Sequence, residues 1–99
     1  MLQDIYVRLI RVHLLYHAAQ APFFGAEMIA ELQRHGYKTG PGTLYPVLHG
    51  LEHAGYLKSA CRVDGGKVRR YYRITPEGRK VLRLLRRQIR ELVEDIFRH

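Results

Sequence analysis

Apolar residues at the start of the chain recur at the spacing of a helix. Leu2, Ile5, Leu9, Val12 and Tyr16 fall three or four residues apart, and Ile10, Leu14 and Leu15 widen the stripe. The pattern predicts a helix over residues 2–19 that is apolar on more than one face. Pro22 and Gly25 in "QAPFFG" punctuate the chain after it. "AEMIAELQRHG" predicts a second helix with Ala26, Ile29 and Leu32 inward and Gly36 just past its last turn, where glycine is favoured. "YKTGPG" reads as a turn. A third helix follows in "GTLYPVLHGLEHAGYL", residues 42–57, where Leu44, Val47, Leu48 and Leu51 share one face. With Thr43 as N-cap, Pro46 falls in the first turn, where its missing N–H removes no intrahelical bond. Gly55 ends this helix.

The period then drops from 3.6 to 2. "YLKSACRV" alternates Leu57, Ser59, Cys61 and Val63 against Tyr56, Lys58, Ala60 and Arg62. After the turn signal "DGGK", "VRRYYRI" alternates Val68, Arg70, Tyr72 and Ile74 against Arg69, Tyr71 and Arg73. This predicts a hairpin with basic residues along its strands. "TPEGRK" opens a last helix with Thr75 as N-cap, Pro76 at the first position and Glu77 in the first turn. The helix is expected to run to the end of the chain, roughly 23 residues or about 34 Å. Leu82, Leu85, Ile89, Leu92 and Ile96 repeat at coiled-coil spacing, and Val81, Val93 and Phe97 add a second strip. A body this small cannot cover all of that surface, so the helix calls for a partner.

Three helices followed by a basic hairpin predict a mainly α fold with a small β-hairpin. This is a winged helix-turn-helix with a long C-terminal dimerisation helix. The 99 residues are enough for one small domain, 1–99. Within it, 20–74 form the winged core, and 1–19 and 75–99 supply the helices of the dimer interface. Charge sharpens the functional reading. The net charge is +8, and residues 51–99 hold +7 of it. A one-sided basic surface suits a polyanion, double-stranded DNA first and an acidic membrane surface second. On the third helix Thr43, Tyr45, His49, Gly50 and His53 face away from the apolar side, ready to read base edges. Lys67, Arg69, Arg70 and Arg73 on the wing are expected to grip phosphates, as is Lys38 before the third helix.

The same residues resemble a known family. "GTLYPVLHGLEHAGYL" followed by "GGKVRRYYRITPEGRKVL" is similar to the PadR-like transcriptional regulators over about residues 9–85. The shared pattern is a G-T-L-Y-P helix, an E-x-x-G-x-L turn and a Y-Y-x-x-T-x-x-G junction. The resemblance implies a homodimeric repressor on a palindromic operator, with the C-terminal helix of each subunit packed on the N-terminal helix of the other. It places Thr43, Tyr45 and Pro46 at the start of the DNA-reading helix and Lys67 to Arg73 in the wing. The dimer contacts are expected from Leu9, Val12, Tyr16, Leu82, Leu85, Ile89, Leu92 and Ile96. There are departures. Gly40 stands where the family commonly has Ser, and Gly50 where Arg or Lys is common. Phe24-Gly25 replaces a typical His-Gly, and Ala26 stands where tyrosine is frequent.

Other constellations compete. "HGLEH" matches the H-x-x-E-H metalloprotease spacing with His49, Glu52 and His53. A third ligand and a cleft are missing from the pattern, so no enzyme is expected. His13 and His17 form an i, i+4 pair in the interface helix, a weak metal candidate. The alternative function is a metal- or thiol-responsive switch, through His13/His17 or Cys61, acting on a protein partner. Cys61 itself reads as a small packed side chain. Arg79, Lys80, Arg83, Arg86, Arg87 and Arg90 read as a solvated face of the last helix rather than a membrane surface. Tyr6, Tyr16, Phe23, Phe24 and Phe97 cluster near the helix-one/helix-four junction, where the resemblance allows a small hydrophobic effector. No cofactor is expected. A lone cysteine and the lack of a signal or spanning segment point to a cytoplasmic protein.

Overall fold

Residues 1–98, which the computed structural model describes, form four helices and one three-stranded antiparallel sheet. The order is α1 (Leu2–Gln20), β1 (Phe23–Phe24), α2 (Gly25–Arg34), α3 (Pro41–His53), β2 (Leu57–Asp64), β3 (Lys67–Ile74) and α4 (Pro76–Ile96). The strands lie β1-β3-β2, so the hairpin β2–β3 takes a short third strand on its β3 edge. This is the winged helix-turn-helix arrangement, α2 and α3 forming the helix pair and β2–β3 the wing.

The core is shared by every element. Leu14 of α1, Leu32 of α2, and Leu44 and Leu48 of α3 are wholly buried, with Leu57, Tyr72 and Leu82 packed around them. On α3 the buried set is Leu44, Val47, Leu48 and Leu51, the predicted face. On α2 the inward residues are Gly25, Met28 and Leu32; Ala26 is exposed and Ile29 only half-buried. The correction is one of phase. Met28 and Leu32 are four apart and define the buried stripe, which leaves Ala26 beyond its edge.

The start of α3 also differs from expectation. The helix begins at Pro41, with Gly40 as N-cap. The Gly40 carbonyl accepts from Thr43 N at 3.2 Å and Leu44 N at 3.0 Å. Pro41, with its fixed φ, is the initiating proline. Thr43 is therefore inside the helix rather than its cap, and Pro46 lies in the second turn. There it removes the N–H that would reach Gly42 O, a carbonyl on an exposed residue that water can satisfy.

The segment after α1, expected only to punctuate the chain, forms β1. Its two residues pair with β3, Phe23 opposite Tyr72 and Phe24 opposite Tyr71. The wing turns at Gly65-Gly66, between the paired Asp64 and Lys67. Their φ values of +53° and +82° suit a two-residue hairpin turn that only glycine adopts without strain. Burial in the hairpin is confined to its base, at Leu57, Tyr72 and Ile74, whereas Val63 and Val68 face each other near the tip at 67% and 71% exposure. Cys61 is exposed, not packed, because the wing has left the core by that point.

α4 opens as expected. Thr75 Oγ1 accepts from Gly78 N at 3.0 Å and donates to Gly55 O at 2.6 Å. Thr75 N donates to Tyr56 O at 3.0 Å. A Cβ on Gly78 would lie 2.2 Å from that same carbonyl oxygen. α4 ends at Ile96, two residues short of the last described one. It packs on α1 of its own chain, and Leu82 is consumed by the chain's own core.

The junction yields a stability prediction. Thr75→Ala removes a cap and lowers unfolding free energy by about 1 kcal/mol. Gly78→Ala drives a methyl into a backbone oxygen and costs more, roughly 1–3 kcal/mol. Urea unfolding monitored by circular dichroism reads both, and a Gly78→Ala midpoint equal to the parent's contradicts the close approach.

Candidate nucleic-acid interface

The polar side of α3 is set by what its apolar side buries. Because Leu44, Val47, Leu48 and Leu51 point inward, Pro46, His49, Gly50 and His53 are exposed and Thr43 is half-buried. Tyr45 is only 36% exposed, since its ring leans across Gly25 at the start of α2. Lys38, just before α3, is exposed.

The wing brings its cations beside Tyr45. A cleft of about 350 Å³ is lined by Phe24, Gly25, Ala26 and Tyr45 on one side and by Lys67, Val68, Arg69 and Arg70 on the other. His49, His53, Lys38 and Arg73 lie outside it. Strand alternation splits the predicted set. Arg69, Tyr71 and Arg73 share one face of β3, and Arg70 shares the other with Tyr72. Arg69 stacks its guanidinium over Phe24, 4.2 Å from the ring centroid. Arg70 Nη1 donates to Ser59 Oγ at 3.1 Å. Among the described residues no carboxylate lies within ion-pair distance of Lys67, Arg69, Arg70 or Arg73. These four cations of the wing are left without an ion-pair partner among the described residues, which suits contact with phosphate.

Phe24, expected near the helix-one/helix-four junction, stands at the wing instead, and with Tyr71 and Arg62 it holds this arrangement. Phe24 meets Tyr71 edge-on at 5.5 Å between centroids, and Arg62 covers the Tyr71 ring at 3.7 Å. Tyr71 Oη donates to Asp64, whose carboxylate also lies 3.6 Å from Arg62 Nε. The only signal in the sequence was the alternation that put Arg69 and Tyr71 on one face. Their partner Phe24 comes from a distant strand of two residues.

Glu52 has a structural duty. Its Oε2 accepts from Ser59 N at 3.0 Å and Ser59 Oγ at 2.7 Å, tying the end of α3 to β2. That carboxylate is occupied in the place where a protease base would need to be free. Among the described residues no group of three or more His, Cys, Asp or Glu is arranged to hold a metal.

A second region collects histidines. His13 and His17 stack 6.2 Å apart, and His35, from the end of α2, stacks 6.1 Å from His13. The Tyr37 hydroxyl lies 3.1 Å from His13 Nε2, and His35 Nε2 lies 3.4 Å from Glu31 Oε1. These histidines border an apolar groove of about 590 Å³ between α1 and α4, lined also by Leu9, Val12, Tyr16, Leu82, Arg86 and Ile89. Burial, then the charges of His17 and His35, push the His13 imidazole below its usual range. His17 is also pushed down, mainly by burial, with Glu31 opposing and His35 assisting. Farther along α4 the apolar residues lie open, Leu92 at 56% and Ile96 at 59% exposure.

A helix pair whose outer face stands beside a wing with four cations unpaired among the described residues defines a winged-helix DNA-binding protein. Residues 14–84 match the transcriptional regulator PadR-like family, and the chain belongs to that family. It is 49% identical over 88 residues to the transcriptional regulator Rv3488 of Mycobacterium tuberculosis, covering 89% of this chain and 82% of that protein. Its fold is similar to the crystal structure of a PadR family transcriptional regulator from Eggerthella lenta, at TM-score 0.82 and 31% identity over 97% of this chain and 85% of that one. It is similar also to smu.1704 from Streptococcus mutans, at TM-score 0.83 and 29% identity over 91% and 84% of the two chains. The chain is thus a transcriptional regulator and not an enzyme. Among the described residues no helix is long and apolar enough to cross a membrane.

The histidines give a pH prediction. His13 and His17 have folded-state values depressed below the ordinary 6.5. As pH falls below that value the unfolded chain takes up protons first, so the stability held above it is lost as pH drops through the depressed values. Chemical denaturation between about pH 7.5 and 5 will show a falling midpoint, and His13→Gln will flatten it. Equal slopes in parent and variant would remove the histidines from the account.

Proposed function

We propose that the chain acts as a homodimeric repressor that binds a two-fold symmetric DNA site, reading bases with α3 and holding phosphates with the wing. The observation that carries this is the shared cleft, in which Tyr45 of α3 stands opposite Lys67, Arg69 and Arg70, none of which has an ion-pair partner among the described residues. In this reading Thr43, Tyr45, Pro46, His49 and His53 enter the major groove. Lys38 and Arg73 add backbone contacts at the margins. The flanking regions 1–19 and 75–99 serve assembly and 20–74 serves DNA.

The dimer reading rests on apolar surface that one chain leaves open. Ile89, Leu92, Val93 and Ile96 on α4 and Leu9 and Tyr16 on α1 are all at least 36% exposed. Such a surface on a chain of this size is best explained by a second copy. Within the predicted seam Leu82 and Leu85 serve the chain's own core, so the contacts between subunits fall on Leu9, Val12, Tyr16, Ile89, Leu92 and Ile96. Two-fold symmetry then sets the recognition helices about 34 Å apart, or a multiple of it. The groove between α1 and α4 would admit a small hydrophobic effector, and the cytosol is where such a regulator works.

Gel retardation with the DNA upstream of its own gene tests the reading. The parent will retard that fragment in preference to a scrambled duplex. Tyr45→Ala will reduce the preference about tenfold, in line with the loss of one base contact. Arg69→Ala will weaken binding to every sequence and lower the salt slope by about one. Identical behaviour of the two variants would contradict this division of labour. In sedimentation, Leu92→Glu will yield monomers, and an undisturbed dimer would take α4 out of the interface.

A further inference from the structure

The glycines of this chain fall into different classes. Gly36, Gly55, Gly65 and Gly66 have positive φ and are required by the backbone. Gly25 is not among them, and it occupies the first position of α2, where an alanine would be accepted by the helix. What Gly25 lacks is room. A Cβ built on it would lie 2.5 Å from Tyr45 Oη, 2.6 Å from Cε1 and 2.7 Å from Cζ. Those atoms are the far end of a side chain on another helix, so the core would not absorb the clash; the tyrosine would. The neighbour of Gly25 has a parallel duty, because the Phe24 ring lies 4.2 Å beneath the Arg69 guanidinium. Phe24 is also braced by Tyr71, 5.5 Å away in an edge-to-face contact.

We propose that Phe24 and Gly25 are positioning residues for DNA recognition, Gly25 seating the ring of Tyr45 and Phe24 seating the guanidinium of Arg69. They fix the distance between the group that reads bases and the group that holds phosphate. This rests on the reading of Tyr45 and Arg69 given above. The two residues are adjacent in the chain, at the turn from β1 into α2. One corner thus serves two side chains from α3 and the wing, elements that Glu52 and Ser59 tie together at the far end of α3. The consequence is that neighbouring substitutions produce opposite signatures. A methyl at position 25 tilts Tyr45 and leaves the wing cations alone. A smaller, non-aromatic side chain at position 24 frees Arg69 and leaves Tyr45 in its seat.

The test uses the full chain in gel retardation, with the fragment upstream of its own gene and a scrambled duplex as probes. Gly25→Ala will lower the ratio of the two affinities by about as much as Tyr45→Ala, about tenfold, with scrambled-duplex binding and the salt slope unchanged. In a Tyr45→Ala background Gly25→Ala will have no further effect, since the seat is then empty. Phe24→Leu will weaken both probes alike, by about threefold, and keep their ratio. If Gly25→Ala alone fails to fold, the double variant, with space at position 45, will fold, and a double variant that also fails to fold overturns the seat. An unchanged ratio in Gly25→Ala, or an equal loss in the Tyr45→Ala background, overturns the proposal. A nuclear Overhauser contact between Gly25 Hα and the Tyr45 ring, measured without DNA, separates the two levels of the argument. Its absence from the parent defeats the seat itself. Its presence in a parent that fails to discriminate operator from scrambled DNA defeats the base-reading role of Tyr45, and with it the recognition role given to Gly25 and Phe24.

Discussion

The Tyr56 carbonyl is the point through which α3, the wing and α4 are held to one another. It accepts from Thr75 N, and the backbone of Gly78 passes so close that a single methyl at that residue would reach within 2.2 Å of its oxygen. Thr75 completes the knot by donating to Gly55 O and capping the first turn of α4. Three elements therefore leave one small region in directions that a side chain at position 78 would alter. In the proposed dimer the direction of α4 would set where a second copy docks, and the direction of α3 what each copy could reach. Contacts among a few backbone atoms thus bear on a spacing tens of ångströms away, because rigid helices carry an angular error along their length.

From that region the wing runs out beyond the core, and its chemistry changes along the way. At its base Leu57, Tyr72 and Ile74 are buried, and the alternation of the strands does what the pattern promised. Near the tip Val63 and Val68 meet across the strands but cover little; Arg62 lies beside Asp64, whereas Lys67, Arg69 and Arg70 have no carboxylate within ion-pair distance among the described residues. A strand that kept burying its apolar face would need more protein beneath it. A strand that leaves the body can instead present charge on both faces, which suits contact with a polyanion whose grooves and backbone flank it.

What the sequence made legible was local. The apolar face of α3, the glycine turn of the wing and the Thr75-Pro76 helix start each rest on residues within one turn of one another, so spacing alone reveals them. The start of α3 departs from expectation for an equally local reason. Thr43 is a good cap by residue type, but Pro41 fits the initiating position and Gly40 accepted the role without a side chain. The rest was illegible because it depends on distant partners. Two residues cannot show a strand period, so β1 is visible only once β3 lies beside it. His35 gives no hint in sequence that it will stack on His13, and Cys61 looks packed until the wing is seen to outrun the core. The histidine cluster that results sits where α1, α2 and α4 converge on the open groove, so the protonation that destabilises the fold also adds charge to the surface a partner would cover.

The way the wing arginines are held bears on what they are for. A carboxylate would fix an arginine more tightly than a ring does, but it would also cancel the charge. Arg62 shows that case, close to Asp64 and so of little use to a phosphate. Arg69 is held by the face of Phe24, which attracts the cation through the ring quadrupole while leaving its net charge intact. Such an arrangement orders a flexible side chain before its ligand arrives, which reduces the entropy lost on binding, and keeps the long-range attraction that draws a polyanion in. An aromatic residue at position 24 is therefore more informative about function than its half-buried place in a two-residue strand suggests. A ring at this position orients the cation without neutralising it.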